Sequence, residues 1–396
     1  MRLVLPRGVR VITERLEKYG KSAHIVGGCV RDFLLSKTPF DYDITTDALP
    51  EKMKEIFSDF RTVETGIKHG TLTVLFDGEP YEVTTYRIDG EYEDHRHPSG
   101  VFFTDKLSLD LARRDFTMNA VCYCERDGFV DIFSGIEDIK NRIIRAVGEP
   151  DRRFEEDALR ILRAIRFASV LDFDIEEGTA GSAIEKAHLL RSVSAERIYT
   201  EWKKLLGGIS AYKVIEEYEK IISVFLFPEK IRLPARKLFD AASLDARQLS
   251  LFALSLENPA ERFSDFCDRM KTDAKTKKLG ILALENLRTD FSDERSARFM
   301  LLRLGKEGAR LTSELRMLCT DLNVVSPERL KEIEDSGYPL SLSELKVGGE
   351  DMKTLGFSGR EIGEALNTLL AMTLNDEVKN ERDALLSKAQ KLKNGI

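Results

Sequence analysis

Two acidic residues stand two positions apart in the segment FDYDI, residues 40–44. Alternate residues of a β-strand point to the same face, so a strand here turns both carboxylates toward one cation. The same alternation sends Phe40, Tyr42 and Ile44 into a core. Mg²⁺ is usually held by one or two carboxylates together with water and substrate phosphate. Asp41 and Asp43 are therefore predicted to be metal ligands and catalytic residues; the alternative is two solvated acids on an edge strand.

A third acid, Glu82, lies in the β-rich run YEVTTY, residues 81–86. A central strand would place Glu82 beside the aspartate pair and complete a site for two metal ions. One ion would activate the attacking hydroxyl and the other would stabilise the leaving pyrophosphate. A surface-facing strand position explains Glu82 equally well, so both interpretations stay open.

A double glycine follows the β-rich run HIV, residues 24–26, and precedes a helical pattern. Glycines let the backbone approach a triphosphate closely, a helix N-terminus offers unpaired N–H groups, and a nearby arginine adds a cation. Gly27, Gly28 and Arg31 are accordingly predicted to contact nucleotide phosphates. The alternative is an ordinary turn between a strand and a helix.

A cluster of polar groups lies at residues 113–119, RRDFTMN, before the apolar run AVCY. Guanidinium, carboxylate and amide groups at this spacing can hold ribose hydroxyls and phosphate oxygens. Arg114, Asp115 and Asn119 are the candidates for nucleotide binding. The competing interpretation is an arginine–aspartate brace inside the fold.

Residues 151–168, DRRFEEDALRILRAIRFA, have the apolar period of one amphipathic helix. Asp157 and Arg160 are i, i+3 neighbours at one edge of the apolar stripe, and Arg163 and Arg166 lie along the opposite side. A carboxylate accepts from an exocyclic amine and a guanidinium donates to a ring nitrogen or carbonyl. The pair Asp157 and Arg160 can therefore select cytosine or adenine. The alternative is an Asp–Arg salt bridge on a solvated helix.

The elements that must position these groups change type along the chain. Up to about residue 135, short β-rich runs alternate with turns, and Asp77-Gly78 predicts a hairpin. From Phe154 onward the pattern is helical, and one helix is expected to begin after Ser194 and to end at Gly207. The sequence therefore predicts an α+β fold, with an α+β head followed by an all-α remainder.

Composition restricts the function classes only in part. The chain has 396 residues with 61 Lys plus Arg and 68 Asp plus Glu, which gives a formal net charge of −7. A strongly basic domain is the usual mark of phosphate binding, so charge alone argues weakly against an RNA partner. No apolar run approaches the roughly 20 residues of a membrane-spanning helix. No secretory signal is evident, and a cytoplasmic protein is predicted.

Cysteine and histidine usage excludes several site types. The five cysteines include no CxxC pair, which argues against a disulfide scaffold and a zinc ribbon. Cys122 and Cys124 alternate in an apolar run and are expected to be buried strand residues. The last histidine is His188, so the remainder can hold neither a histidine metal site nor a histidine general base.

Four of these segments stand in an order that resembles the class II CCA-adding enzymes. These belong to the tRNA nucleotidyltransferase and poly(A) polymerase family of the polymerase-beta-like superfamily. The motifs that carry the resemblance are GGCVRD at 27–32, DYD at 41–43, RRDFTMNA at 113–120 and EDALRILRAIRFA at 156–168. Weaker similarity in SAERIYTEW at 194–202 and GFSGREIGEALNTLL at 356–370 extends it over nearly the whole chain.

The resemblance implies a seahorse-shaped arrangement of a nucleotidyltransferase head at 1–136, a neck at 137–195, a helical body at 196–270 and a tRNA-binding tail at 271–396. It implies Mg²⁺ on Asp41 and Asp43, and a template for CTP and ATP formed by Asp157 and Arg160. Arg163 and Arg166 would support the nucleotide pocket. The expected activity is template-independent addition of CCA to the 3′ end of tRNA, and the expected partner surface is the tRNA acceptor stem and elbow.

Relatives with other products remain alternatives: A-adding tRNA nucleotidyltransferases, CC-adding enzymes and bacterial poly(A) polymerases. CC-adding forms lack part of a loop before the RRD motif, whereas the segment 86–110 is long here and contains Glu91, Asp94, His95, Arg96 and His97. The loop therefore favours full CCA addition. Two further hypotheses are an RNA-binding protein that retains the fold without catalysis, and a nucleotidyltransferase that acts on a protein or small molecule.

Overall fold

A computed structural model of the chain describes residues 3–90, 101–226, 230–289, 291–320 and 322–395. The residues of the 86–110 loop that favoured CCA addition, 91–97, lie outside these ranges. The chain divides into two compact units, Met1–Pro228 and Glu229–Ile396. The boundary between the units falls inside the segment predicted as the body, 196–270, and the four-part subdivision stays a prediction.

The first unit is built on a sheet whose neighbouring strands follow the order β3-β4-β5-β2-β1-β8-β9 within the described residues. Neighbours run antiparallel, apart from β2 and β5, which run parallel. Two short pairs, β6 with β7 and β10 with β11, stand outside this sheet. The strands are β1 (Ala23–Val26), β2 (Asp43–Thr46), β3 (Arg61–Val63), β4 (Thr71–Phe76), β5 (Glu79–Thr85), β6 (Arg87–Asp89), β7 (Val101–Phe103), β8 (Cys122–Cys124), β9 (Gly128–Val130), β10 (Ile143–Ile144) and β11 (Asp174–Ile175).

The helices of this unit are α1 (Arg7–Lys18), α2 (Gly28–Leu34), α3 (Pro50–Ile56), α4 (Leu107–Ala112), α5 (Gly135–Asn141), α6 (Pro150–Glu156), α7 (Leu159–Leu171), α8 (Glu177–Glu185), α9 (Ala195–Leu206), α10 (Ala211–Glu217) and α11 (Glu219–Ser223). Short 3-10 helices cover Ile67–His69, Thr117–Asn119 and Lys186–Ser192. The predicted hairpin at Asp77-Gly78 is confirmed, because both residues have positive φ as a tight turn between β4 and β5 requires.

Strand β1 is buried on both faces, and successive residues serve different cores. Ile25 packs with residues of α1, α2 and α3, whereas Val26 packs with Leu111, Ala120 and Cys122. Cys122 and Cys124 are buried, as predicted. The centre of the sheet is therefore fixed from both sides, and the chain leaves β1 for its glycine turn at a well-determined point.

The continuous helix predicted for residues 151–168 is wrong, since the structure has two helices there. Asp157 has extended backbone (φ −138°, ψ 101°) between α6 and α7. Its Oδ1 accepts a hydrogen bond from the N–H of Leu159 at 3.1 Å. Aspartate readily bonds the free N–H groups of a helix start, and this local bond competes with continued helix. The apolar residues keep their helical spacing across the break, so the sequence pattern does not reveal it.

The second unit is helical, which confirms the predicted α+β head followed by an all-α remainder. Its helices are α12 (Arg236–Ala241), α13 (Leu244–Ser255), α14 (Pro259–Met270), α15 (Ala274–Glu285), α16 (Glu294–Cys319), α17 (Pro327–Asp335), α18 (Gly349–Thr354), α19 (Arg360–Leu374) and α20 (Arg382–Lys393), with a 3-10 turn at Leu342–Glu344. Gly305 has φ 70° and kinks α16. Among the described helices, none combines the length and apolar character that a bilayer crossing requires.

Candidate active site

The glycine turn after β1 is shaped as the sequence predicts, with a strand, a turn and a helix in succession. Gly27 has φ 85°, which L side chains rarely adopt, and α2 begins at Gly28. A Cβ on Gly27 would lie 3.4 Å from Arg114 Nη1 and 3.8 Å from Asp43 Oδ2. The turn therefore brings bare backbone, a guanidinium and a carboxylate to one point.

Arg31 is buried on the first turns of α2 and does not point freely into solvent. Its Nη1 donates to Asn119 Oδ1 at 2.9 Å, and its Nε donates to Asp32 Oδ1 at 2.9 Å. These bonds fix the guanidinium beneath the glycine turn. The structure thus joins two of the predicted nucleotide-binding motifs, GGCVRD and RRDFTMNA, through one side-chain hydrogen bond.

The predicted acids lie on or next to the inner strands β2 and β5, close to this turn. We call Asp41, Asp43 and Glu82 the carboxylate corner. The parallel register of β2 and β5 pairs Asp43 with Glu82, and the antiparallel register of β1 and β2 pairs Asp43 with Val26. None of the three carboxylates has a hydrogen bond or ion pair among the described residues. The carboxylate oxygens of the corner, beside Gly27, are therefore available to bind a ligand or an ion.

The three carboxylates of the corner place several negative charges close together. Desolvation by the surrounding protein, together with the charges of Asp41 and Glu82, raises the pKa of Asp43 to about 6, while Arg114 opposes the rise. A cation would relieve this repulsion, and the oxygen donors suit a hard divalent ion. The three carboxylates do not all lie within 4.8 Å of one another, so the donor set fits a metal that keeps water or phosphate oxygens as further ligands.

One detail of the predicted strand is wrong. Strand β2 begins at Asp43, so the alternation expected from residue 40 does not extend that far. Phe40 is fully exposed and Tyr42 is only partly buried, whereas Ile44 is in the core as expected. Phe40 follows Pro39 in a segment without regular structure, which removes the constraint that would have turned it inward.

In the RRD motif, Arg113 stabilises the local fold and Arg114 lies next to the carboxylate corner. Arg113 and Arg114 both donate to the buried Asp110, at 2.8 and 3.4 Å. Burial favours a raised pKa for Asp110, yet the two arginines, Arg113 foremost, hold it below the ordinary value. The Nε of Arg114 is buried without a partner among the described residues. Arg113 is thus the brace, whereas Arg114 also places its Nη1 next to Gly27.

Asp115 is an internal brace in this structure. It accepts from Asn119 Nδ2 at 3.0 Å and from Arg163 Nη2 at 2.5 Å. Burial works against its charge, but Arg163 and Asn119 outweigh burial and hold the pKa of Asp115 far below its usual range. The chain Arg31, Asn119, Asp115, Arg163 therefore links the glycine turn to helix α7.

Asp157 and Arg160 do not pair with each other, so the alternative of a salt bridge between them is wrong. Arg160 is buried, and its Nη atoms donate to Glu156 Oε2 at 2.9 Å and to the carbonyl oxygens of Arg153 and Arg113 at 3.1 and 2.9 Å. Asp157 Oδ2 accepts from Arg197 Nη2 at 2.9 Å. The two predicted base-reading groups are held by different partners, Asp157 at the break between α6 and α7 and Arg160 in the first turn of α7.

Three residues of the site were missed by sequence reasoning: Phe167, Arg197 and Glu201. The guanidinium carbon of Arg166 lies 3.4 Å from the centroid of the Phe167 ring, and Arg31 and Arg163 lie 5.1 and 5.4 Å from it. Buried Glu201 accepts from Arg166 Nε at 2.9 Å. The i, i+4 spacing of Arg197 and Glu201 in SAERIYTEW was the available signal, since it places both on one face of α9.

We call these charged groups of α7, α9 and the RRD motif the neck network; its members are Asp115, Asp157, Arg160, Arg163, Arg166, Arg197 and Glu201. Every member has a hydrogen-bonded charged partner within it or on an adjacent residue. The charges of the network are therefore paired, Arg160 with Glu156 outside the set, and the pairs tie α7 to α9 and to the RRD motif.

Comparison with known proteins assigns a family to this arrangement. A Poly A polymerase head domain model matches residues 23–145, and a tRNA nucleotidyltransferase domain 2 model matches residues 244–389. The CCA-adding enzyme of Pediococcus pentosaceus is 36% identical over 97% of this chain and 97% of its own length. That of Bacillus licheniformis is 35% identical over 94% of this chain and 95% of its own length. The chain belongs to the family of CCA-adding enzymes.

A solved structure supports the same family. The Bacillus stearothermophilus CCA-adding enzyme in complex with CTP is 31% identical, covers 99% of both chains and gives a TM-score of 0.79. A Thermotoga maritima CCA-adding enzyme complexed with tRNA_CCA, at 21% identity and a TM-score of 0.71, shares the fold. As a CCA-adding family member this protein is a nucleotidyltransferase, and the family implies a divalent metal, which the carboxylate corner fits.

Proposed function

We propose that this chain adds CCA to the 3′ end of tRNA from CTP and ATP without a nucleic-acid template, and that Asp41 and Asp43 hold Mg²⁺ for the reaction. The observation that carries the proposal is the β2–β5 register, which sets Asp43 beside Glu82 next to Gly27. Family membership supports the activity, and the geometry of the corner supports the assignment of residues.

In the proposed reaction the 3′ oxygen of tRNA forms a bond to the α-phosphorus of the nucleotide, and the bond from that phosphorus to the bridging oxygen breaks. Pyrophosphate leaves, and the proton of the 3′-hydroxyl passes to solvent. Bound Mg²⁺ supplies charge neutralisation and favours deprotonation of the hydroxyl. Asp41 and Asp43 would hold this ion on one side of the corner, where its charge would attract the hydroxyl and α-phosphate oxygens, and Glu82 contributes further negative charge there.

The triphosphate is proposed to lie over the glycine turn. The backbone of Gly27 and Gly28 permits close approach, and Arg114 presents its Nη1, next to Gly27, to the phosphates. Arg31 and Asn119 fix the underside of the turn, and Asp115 anchors Asn119. Positioning and charge stabilisation are the main contributions a protein makes to such a transfer.

The base is proposed to meet Asp157 and Arg160. Asp157 accepts from the exocyclic amine of cytosine or adenine, and Arg160 donates to the adjacent ring nitrogen or carbonyl. Because both Nη atoms of Arg160 are engaged with Glu156 and two carbonyl oxygens, base binding requires exchange of at least one of these bonds. Arg163 and Arg166, seated around Phe167, support the wall of the pocket.

Incubation with Mg²⁺, tRNA that lacks CCA and each labelled nucleotide tests the proposal. We expect two CMP residues and one AMP residue per tRNA, and none with the Asp41→Asn, Asp43→Asn double variant. Asp77→Asn, an exposed acid in the β4–β5 turn, is the matched control. AMP incorporation alone, on tRNA that ends in CC, would reassign the chain as A-adding, and long homopolymer tails would reassign it as a poly(A) polymerase.

The identity of the ion is tested separately. We expect turnover to be restored by Mg²⁺ after chelation, because carboxylate and phosphate oxygens are its preferred ligands. Restoration by Mn²⁺ and not by Mg²⁺ would contradict this part of the proposal. We propose in addition a cytoplasmic location, on the sequence grounds given above, and fractionation of source cells tests it.

A further inference from the structure

A second group of metal-binding side chains lies at the other end of β1 from the glycine turn. Among the described residues, His24, Cys124 and Asp127 each offer one ligand atom, and these atoms all lie within 4.8 Å of one another. His24 is the second residue of β1, Cys124 ends β8, and Asp127 lies in the turn before β9. Gly27 directly follows β1, three residues after His24, which is about 10 Å at the rise of a strand.

A chain of hydrogen bonds lies behind His24. The Asp47 carboxylate accepts from the Ser22 hydroxyl at 2.9 Å, and the Ser22 oxygen accepts from the Tyr86 hydroxyl at 3.1 Å. The Tyr86 oxygen is 2.8 Å from His24 Nδ1, so in this chain it can accept the Nδ1 proton. In the tautomer with that proton, His24 presents the lone pair of Nε2 to a metal ion.

This arrangement is the one that metal-binding histidines use, in which one nitrogen binds the ion and the other donates to a fixed acceptor. The remaining donors are already close together. Cys124 Sγ is 3.5 Å from Asp127 Oδ2, and Asp127 N donates to the same sulfur at 3.3 Å. Ligand atoms on a tetrahedral Zn²⁺ are ~3.5 Å apart, as follows from bonds of about 2.0 to 2.3 Å. Bringing ligand atoms that lie at most 4.8 Å apart to this spacing requires the turn to close by at most about 1.3 Å.

We propose that His24, Cys124 and Asp127 bind Zn²⁺, with water in the fourth position, and that the ion fastens the β8–β9 turn to the start of β1. Imidazole nitrogen and thiolate sulfur favour Zn²⁺ over Mg²⁺, which prefers oxygen donors alone. Binding releases the thiol proton of Cys124 to solvent, because the thiolate is the ligand. The site is independent of the nucleotidyl transfer proposed above.

The neighbouring charges oppose the ion only weakly. Arg126 forms a bidentate ion pair with Asp127 and is itself highly exposed. Exposed ion pairs contribute little, so exchange of this pair for Zn²⁺ costs less than about tenfold in affinity. His24 and Cys124 are buried, whereas Asp127 is exposed, so the turn gives the ion a route from solvent.

Co²⁺ titration of the metal-free full chain tests the proposal, because a thiolate ligand gives a charge-transfer absorption that carboxylates do not. We expect one equivalent of Co²⁺ to produce the band and Zn²⁺ to abolish it by displacement. The Asp41→Asn, Asp43→Asn background must retain the band, which separates this site from the carboxylate corner. Absence of the band in the wild-type chain overturns the proposal.

Ligand variants with matched controls assign the band to these residues. Cys124→Ala removes it, whereas Cys122→Ala, which deletes another buried thiol of the same strand, keeps it. Asp127→Asn, an exposed change that leaves the fold intact, weakens Zn²⁺ binding at least tenfold, and Asp77→Asn in the β4–β5 turn leaves it unchanged. Unaltered Zn²⁺ affinity in Asp127→Asn, or a band that survives Cys124→Ala, overturns the proposal even if another variant fails to fold.

Discussion

The carboxylate corner and the neck network differ in how their charges are paired. In the corner, Asp41, Asp43 and Glu82 have no partner among the described residues, and burial, together with repulsion from Asp41 and Glu82, raises the pKa of Asp43 to about 6. In the network, Asp115 is so well paired that its pKa is far below the ordinary range. The corner keeps its bonding capacity for ligands, whereas the network pairs its charges to fix the helices and leaves the buried Nη1 of Arg197 without a partner among the described residues.

The comparison predicts that substitutions in the corner reduce activity without reducing stability, and that substitutions in the network reduce stability first. Removing one like charge from a crowded set relieves repulsion, but removing one partner of a buried pair leaves the other charge uncompensated. The following variants test this contrast in order of expected effect.

Asp43→Asn is expected to give the largest effect. Loss of a metal ligand should lower nucleotide incorporation at least about 10³-fold, which corresponds to about 4 kcal/mol of transition-state stabilisation. The urea midpoint should be unchanged or higher, because Asp41 and Glu82 then repel one neighbour fewer. Incorporation kinetics and urea unfolding measure both quantities, with Asp77→Asn as the control. Activity above about a tenth of wild type would contradict the predicted difference between the carboxylate corner and the neck network.

Asp115→Asn is expected to lower the free energy of unfolding by about 3 kcal/mol, since it leaves Arg163 without its carboxylate. The depressed pKa of Asp115 means that its contribution is complete above the ordinary Asp pKa of about 4 and is lost as the pH falls below it. The difference from wild type should therefore shrink in acid. Urea unfolding at pH 7 and below pH 4 measures this. Asp174→Asn, at an exposed ion pair with Lys213, is the control and should change stability by less than about 1 kcal/mol.

Arg197→Ala is expected to raise the KM for both CTP and ATP about fivefold, or about 1 kcal/mol, because Asp157 loses the donor that orients it. Stability should fall less than in Asp115→Asn, since Asp157, with 20% of its side chain exposed, is less buried than Asp115, with 10%. Steady-state kinetics with each nucleotide measure the effect, and Arg191→Ala, at an exposed arginine of the same unit, is the control. Equal KM values in Arg197→Ala and wild type would remove Arg197 from the positioning of the base.

Phe40→Ser is expected to have the smallest effect, a change in unfolding free energy within about 0.5 kcal/mol. Phe40 is fully exposed, whereas Ile44, four residues on, is buried. Ile44→Ala should cost about 2 to 5 kcal/mol and serves as the matched comparison. A large loss in Phe40→Ser would restore the interpretation in which the strand begins before Asp41.

Local signals predicted the parts of this molecule that depend on neighbours in sequence. The glycine turn, the Asp77-Gly78 hairpin and the change from strands to helices all follow from spacing and backbone preference over a few residues. The family motifs added the order of the segments. The assignments of individual site residues remain proposals, although the structure brings Asp43, Glu82 and Gly27 together.

Features that depend on distant partners were not predictable in this way. Arg197 lies 40 residues after Asp157, and Arg163 lies 48 residues after Asp115. A helical wheel drawn for residues 151–168 cannot show that Asp157 bonds its own backbone two residues on. It also cannot show that Arg160 points away from Asp157 to two carbonyl oxygens. Sequence spacing singled out most of the charged residues of the site, but their pairing depends on the tertiary structure.

The parallel pairing of β2 with β5 has a consequence for the order of folding. Asp43 and Glu82 meet only after the chain has formed α3, β3 and β4 between them, and β8 must reach β1 from almost 100 residues away. Contacts so distant in sequence form slowly, because the entropy of closing the intervening loops is lost before the contacts stabilise the sheet. During refolding, helical signal should therefore return before nucleotide incorporation does. Nucleotide incorporation requires both the β2–β5 register, which forms the corner, and the β1–β8 pairing, so partially folded chains with helices alone would lack the carboxylate corner.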